Sequence, residues 1–151
     1  MSAPVASGAG VLPVAALGAA LSVAVSSSGA KSAQTMVVVN ERDVMREEPA
    51  PHGNLGMSTA YRISDVAPNR TMEFRKRTLH VGSAIGLHVL THDEVYYVVD
   101  GEGEVASDGV TKHISAGSAA YLYSGANVGI KQLGPKPLTL IVAYPLPATE
   151  R

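Results

Sequence analysis

The sequence predicts an all-β fold, two sheets closed into a barrel or sandwich, on three observations. Short runs rich in Val, Ile, Thr and Tyr recur through the chain after residue 71, punctuated by Gly, Pro, Asn and Asp every 8–12 residues or so. No stretch there carries the 3.6-residue apolar period of an amphipathic helix. Asp108-Gly109, set between two such runs, is the dipeptide of a two-residue hairpin.

The elements follow in order. Residues 35–39, Thr-Met-Val-Val-Val, read as a first strand. The charged residues 41–48 are expected to be solvated or to form one helical turn, and Pro49, Pro51 and Gly53 impose an irregular connection. Residues 57–64 read as another strand, ended by the turn residues around Pro68-Asn69. Residues 71–81 form a long run with Met72, Phe74, Thr78 and His80 on one face and Glu73, Arg75 and Arg77 on the other. That charged alternation is expected to be a solvated face; its alternative use is to recognise a carboxylate, which Arg binds bidentately. Gly82-Ser83 breaks the run and residues 84–90 follow. The strongest strand signal is Val-Tyr-Tyr-Val-Val at 95–99, stopped by Asp100-Gly101. Residues 102–106 and 110–114 flank the hairpin dipeptide. Turns at Ala116-Gly117 and Ser124-Gly125 bracket 119–123, and 128–133 and 138–144 close the series.

Composition bounds the function. The 151 residues suit one domain, 46% are apolar, and the formal charge of -1 gives no footprint for nucleic acid. Cysteine is absent, which excludes disulfides, thiolate metal sites and a cysteine nucleophile. No charged side chain occurs from residue 1 to 30, and 11–25 is an unbroken run of Val, Leu, Ala, Gly, Ser and one Pro. The run is short for a membrane span, which needs about 20 residues, and suits the apolar region of a signal peptide. Ser28 with Ala30, or Ala30 with Ser32, supplies the small-residue pair for cleavage, although no Lys or Arg precedes the apolar run. The expectation is therefore an exported protein, periplasmic or secreted, with no stable membrane insertion after leader removal. Residues 1–33 are the leader, 34–70 are strands and loops packing on the barrel, 71–145 are the barrel and 146–151 are a tail.

One stretch resembles a known family. Residues 86–103, Gly-Leu-His-Val-Leu-Thr-His-Asp-Glu-Val-Tyr-Tyr-Val-Val-Asp-Gly-Glu-Gly, are similar to the first motif of the cupin superfamily, with Glu94 seven residues before Gly101. Residues 116–130 resemble the second motif, with Gly117, a short strand, a turn at Gly125 and another strand. The resemblance spans roughly residues 71–144. It implies a double-stranded β-helix, the jelly-roll barrel, which often forms a homodimer through outer-sheet or N-terminal strands. The fold hosts many functions, so it transfers no activity.

The chain departs from the family's metal site, which presents three histidines and one glutamate to the interior. Carried over, the first histidine is His88 and the glutamate is Glu94, but the other two positions fall on Leu90 and Val128. His92 is the one substitute in reach. His88 and His92 lie about 13 Å apart on an extended strand, at roughly 3.3 Å per residue. Two ligands of one ion lie within about 4 Å of each other, so sharing a metal requires a sharp turn near Thr91. His88, His92 and Glu94 are accordingly the candidate ligands for one divalent transition metal.

Other residues can be weighed on parity. Tyr96 shares a face with Glu94 and Val98 and is expected inside, with Tyr97 outside. His80 is expected to be a satisfied core group, and His52 to lie where it can cover the barrel mouth. Tyr121 and Tyr123 read as packing or rim residues. Gly101-x-Gly103 lacks a following helix, so no nucleotide cofactor is expected. No nucleophile elbow or phosphate-cradling loop is present.

The reading that follows is an exported cupin-fold protein binding a small molecule, a sugar or organic acid, through His88, Leu90, Glu94, Tyr96 and Val128. The alternative is a metal-dependent enzyme, an isomerase or ring-opening enzyme on sugar acids or a dioxygenase, with its ion on His88, His92 and Glu94. A third reading is an assembly protein that uses the barrel as a scaffold.

Overall fold

The computed structural model describes Gly10 and residues 34–148. The expected leader and its cleavage sites lie outside these residues, Gly10 apart. Contacts divide the chain into two units, Met1–Gln34 and Thr35–Arg151, and the second is described here. No helix among the described residues is long and apolar enough to cross a membrane.

Ten strands make up this unit: β1 (Met45–Pro49), β2 (Met57–Tyr61), β3 (Met72–Leu79), β4 (Ala84–Val89), β5 (Glu94–Asp100), β6 (Glu102–Ser107), β7 (Val110–Ser115), β8 (Ala119–Leu122), β9 (Asn127–Leu133) and β10 (Leu138–Pro145). They form a six-stranded sheet in the order β1-β2-β3-β10-β5-β8 and a four-stranded sheet in the order β4-β9-β6-β7. The strand pairs are antiparallel, giving the jelly roll that the sequence predicts. Leu79, Tyr96, Val98, Val128, Ile130, Leu138 and Leu140 are buried together in one core cluster. The hairpin between β6 and β7 turns on Asp108 (φ 48°) and Gly109 (φ 80°), the left-handed pair of a type I′ turn.

Two sequence expectations are corrected. Residues 35–39 are not a strand: they are unpaired, and Met36 and Val38 are more than four-fifths exposed. β-Branched composition favours a pleated surface only where a neighbour pairs with it. Here β1, from the charged stretch, takes the position beside β2, after a single 3₁₀ turn at Glu41–Val44.

The second correction concerns β3. Its alternation is as read, but inside and outside are exchanged. Glu73 and Arg77 are buried with Leu79, whereas Met72 and Phe74 face outward. Phe74 lies opposite Ala143, Ala143 opposite Val95, and Val95 opposite Tyr121, an outward row across four strands. The inward charges are tolerated because each has partners. Glu73 accepts bonds from Ser64 Oγ (2.7 Å) and Arg75 Nε (2.7 Å), and Arg77 donates to Ser58 Oγ (2.6 Å) and Glu48 (2.8 Å). Buried charge persists only with such pairing.

Candidate functional site

The barrel holds a partly open cavity of about 400 Å³. β3 contributes Arg75 and Arg77 to its wall, β4 contributes Ile85, His88 and Val89, and β5 contributes Glu94 and Tyr96. Leu90, Thr91 and His92 come from the β4–β5 connection, Val142 and Tyr144 from β10, and Pro51 and His52 from the β1–β2 loop. The lining is therefore mixed: the apolar Ile85, Leu90 and Val142 alternate with guanidinium, imidazole, carboxyl and phenol groups, and Val142 lies in register between Arg75 and Tyr96.

His52 reaches the cavity because its loop lies directly on β4. Pro51 O accepts from Gly86 N (3.1 Å) and Leu55 O from Ala84 N (2.9 Å). A Cβ on Gly86 would stand 1.6 Å from the His52 carbonyl oxygen, so only glycine permits this approach. His52 itself sits at φ 56°. Its ring stacks on that of His88, with centroids 3.6 Å apart and planes 8° from parallel. Burial, then the neighbouring His88 and Arg77, push the His52 pKa below its ordinary value. His88 Nδ1 lies 2.9 Å from Gly86 O; a carbonyl only accepts, so Nδ1 carries the proton and Nε2 is the acceptor of the neutral ring.

His92 has a different partner. It stacks on Tyr144, centroids 4.2 Å apart and planes within 5° of parallel. The two histidines are thus held by separate aromatic neighbours. Among the described residues no group of three or more His, Asp or Glu is placed to hold a metal ion. His88, His92 and Glu94 all line the cavity but are not brought together as such a group. Leu90 and Val128, where the resemblance implies two further ligands, are buried aliphatics, and the His92 ring is stacked on Tyr144.

Glu94 is only 6% exposed, and burial pushes its pKa up to about 7 against the opposing pull of Arg75 and the Tyr96 hydroxyl. Tyr96 is buried, as its parity predicts, and burial followed by the Glu94 charge raises its pKa. Burial works to raise the pKa of Glu73, but bonds from Arg75 and Ser64 and the charges of Arg75 and Arg70 outweigh it and hold the carboxyl below its usual range.

Of the residues singled out from sequence, His88, Leu90, His92, Glu94 and Tyr96 line the cavity. Val128 is not among the lining residues; it is fully buried in the core, paired in register with His88. His80 is not a core group but lies partly exposed, with Nε2 3.0 Å from Thr59 Oγ1 and 3.3 Å from Glu47. Tyr121 and Tyr123 are exposed, and the Tyr121 hydroxyl donates to Asp93 (2.6 Å). Arg75, Arg77 and Tyr144 are cavity residues that the expected solvated face had placed outside or that no motif marked. A signal existed for the arginines: Leu79 shares their parity, and acidic and basic groups two apart can neutralise one another on an inward face.

Fold and cavity together define a double-sheet barrel with an internal polar site. The family model of the cupin domain matches residues 76–144. Those residues match a cupin domain, and the fold is that of the cupin superfamily. Among solved structures it is similar to a protein of Thermotoga maritima described as a predicted oxalate decarboxylase, at 24% identity over 73% of this chain and 99% of that one, TM-score 0.65. An RmlC-like cupin from Shewanella frigidimarina is 27% identical over 62% of this chain and 78% of that one, TM-score 0.52. A polyketide cyclase of Streptomyces resistomycificus shares 17% identity over 74% of this chain and 80% of that one, TM-score 0.62. No curated protein matches the chain.

Proposed function

We propose that this barrel binds a small organic molecule, a sugar or an organic acid, in its interior without a protein-held metal. One observation carries the reading: a cavity of about 400 Å³ with apolar lining residues and a few convergent polar groups, Arg75, His88, Glu94 and Tyr96. Small-molecule sites are commonly cavities of roughly 300–1,000 Å³ built in this way. The chemistry available is binding and orientation. Arg75, Tyr96 and Tyr144 offer N–H and O–H donors, His88 Nε2 offers an acceptor, and Glu94 changes from donor to acceptor as it ionises.

The test is a thermal-shift series with sugars, uronic acids and aromatic acids, run on the wild type and on Leu90→Trp. Leu90 is buried at the cavity wall, so an indole there intrudes on the site, and retention of the fold is checked by circular dichroism. A shift of several degrees with at least one class, abolished in Leu90→Trp, is expected. A flat response across the series, or shifts that persist in Leu90→Trp, overturns the reading.

A further inference from the structure

The reading above leaves the ligand's chemistry open, and the charges around the cavity narrow it. Two linked ion-pair sets stand behind β3. Glu48 is shared by Arg62 and Arg77, both at 2.8 Å. Glu73 is shared by Arg75 (2.7 Å) and Arg70 (3.4 Å), and Arg70 also reaches Asp65 (3.0 Å). Four guanidinium groups therefore face three carboxylates, Glu48, Glu73 and Asp65. Glu94 is the fourth carboxyl of the neighbourhood, and its burial disfavours the charged form. With Glu94 protonated, one positive charge is left without a dedicated counter-ion; once ionised, Glu94 itself attracts Arg75.

The hydrogen bonds show where that charge is accessible. Arg77 spends Nη1 on Ser58 and Nη2 on Glu48 and is a structural cation. Arg75 is bound to Glu73 through Nε alone. Among the described residues no acceptor bonds its Nη1 or Nη2, and neither is one of the buried nitrogens without a partner. The Tyr144 ring lies 6.0 Å from its Cζ. Nε held from behind and two free Nη groups at a cavity wall make a preoriented fork. A guanidinium edge of that kind matches the two oxygens of a carboxylate.

We propose that the cavity's ligand is a carboxylate, gripped end-on by Nη1 and Nη2 of Arg75, with its apolar portion against Ile85, Leu90 and Val142. Glu73, itself bonded by Ser64, holds the guanidinium through Nε and leaves Nη1 and Nη2 for the ligand. The proposal rests on the small-molecule reading and adds to it the charged group that the site selects.

Calorimetric titration with matched probes tests it: benzoate against benzamide, and glucuronate against glucose. In the wild type at least one acid is expected to bind tenfold or more tighter than its uncharged counterpart. Arg75→Gln removes that preference, leaving the acid no tighter than the neutral probe, and Arg75→Lys, which keeps the charge without the fork, retains only part of it. Neutral probes that bind as tightly as the acids in the wild type overturn the carboxylate assignment while the small-molecule reading stands. An acid affinity changed less than twofold by Arg75→Gln does the same. Failure of all four probes and of the wider thermal-shift series overturns both. The wild-type comparison decides the question even if Arg75→Gln folds poorly.

Discussion

Glu73→Ala is expected to lower the unfolding free energy at pH 7 by about 3 kcal/mol, toward the lower end of the 3–5 kcal/mol that breaking a buried ion pair costs. Glu73 is fully buried, yet it accepts bonds from Ser64, Arg75 and Arg70 at 2.7, 2.7 and 3.4 Å. Alanine leaves the Arg75 and Arg70 guanidinium groups without that counter-ion. Both are about a quarter to a third exposed, so water recovers part of the loss, which is why the lower end is expected. The pH dependence supplies an internal check. The folded pKa of Glu73 lies below its unfolded value, so its contribution is present above the unfolded pKa near 4.5 and is lost as pH falls through the folded one. Urea unfolding should therefore show a large gap between wild type and Glu73→Ala at pH 7 that narrows as pH falls below 4.5. Equal midpoints at pH 7 would mean that the inward charges of β3 do not hold the barrel.

Glu94→Gln is expected to act in the opposite direction. Its folded pKa is raised from 4.5 to about 7, so the folded state holds a proton that the unfolded state has released between those values. The stability this confers is fully present below pH 4.5, declines as pH rises through 7, and is absent above. Glutamine keeps the shape and removes the ionisation. At pH 8.5 the variant should be more stable than the wild type by about 3 kcal/mol, and near pH 4.5 the two should nearly coincide. Melting curves across this range give the answer; a difference independent of pH would show that Glu94 is not buried as described.

The same two residues show how far the sequence reaches. Periodicity of two identified which side chains share a face on β3 and β5, and it placed Tyr96 inside correctly. It could not say which face of β3 is the inner one, because the rule that charge faces water fails when each charge finds a counter-charge two residues away or on a neighbouring strand. Glu48 and Ser58, the partners of Arg77, come from β1 and β2, and that pairing exists only after folding. The hairpin at Asp108-Gly109 was legible because its signal is entirely local. Residues 35–39 were misread for the opposite reason: their composition suits a strand, but no neighbour pairs with them. His52 was visible as a residue able to cover the mouth, while its stack on His88 depends on Gly86 admitting the loop.

The cavity is expected to bind its ligand directly, without a metal. The most direct measurement is calorimetric titration of chelator-treated, metal-free protein with whichever acid or sugar gives the largest thermal shift, repeated after adding zinc or manganese. One site per chain is expected, with an affinity unchanged by either metal and by the chelator. Binding that disappears on chelation and returns with one equivalent of metal would contradict it and restore a metal centre to His88, His92 and Glu94.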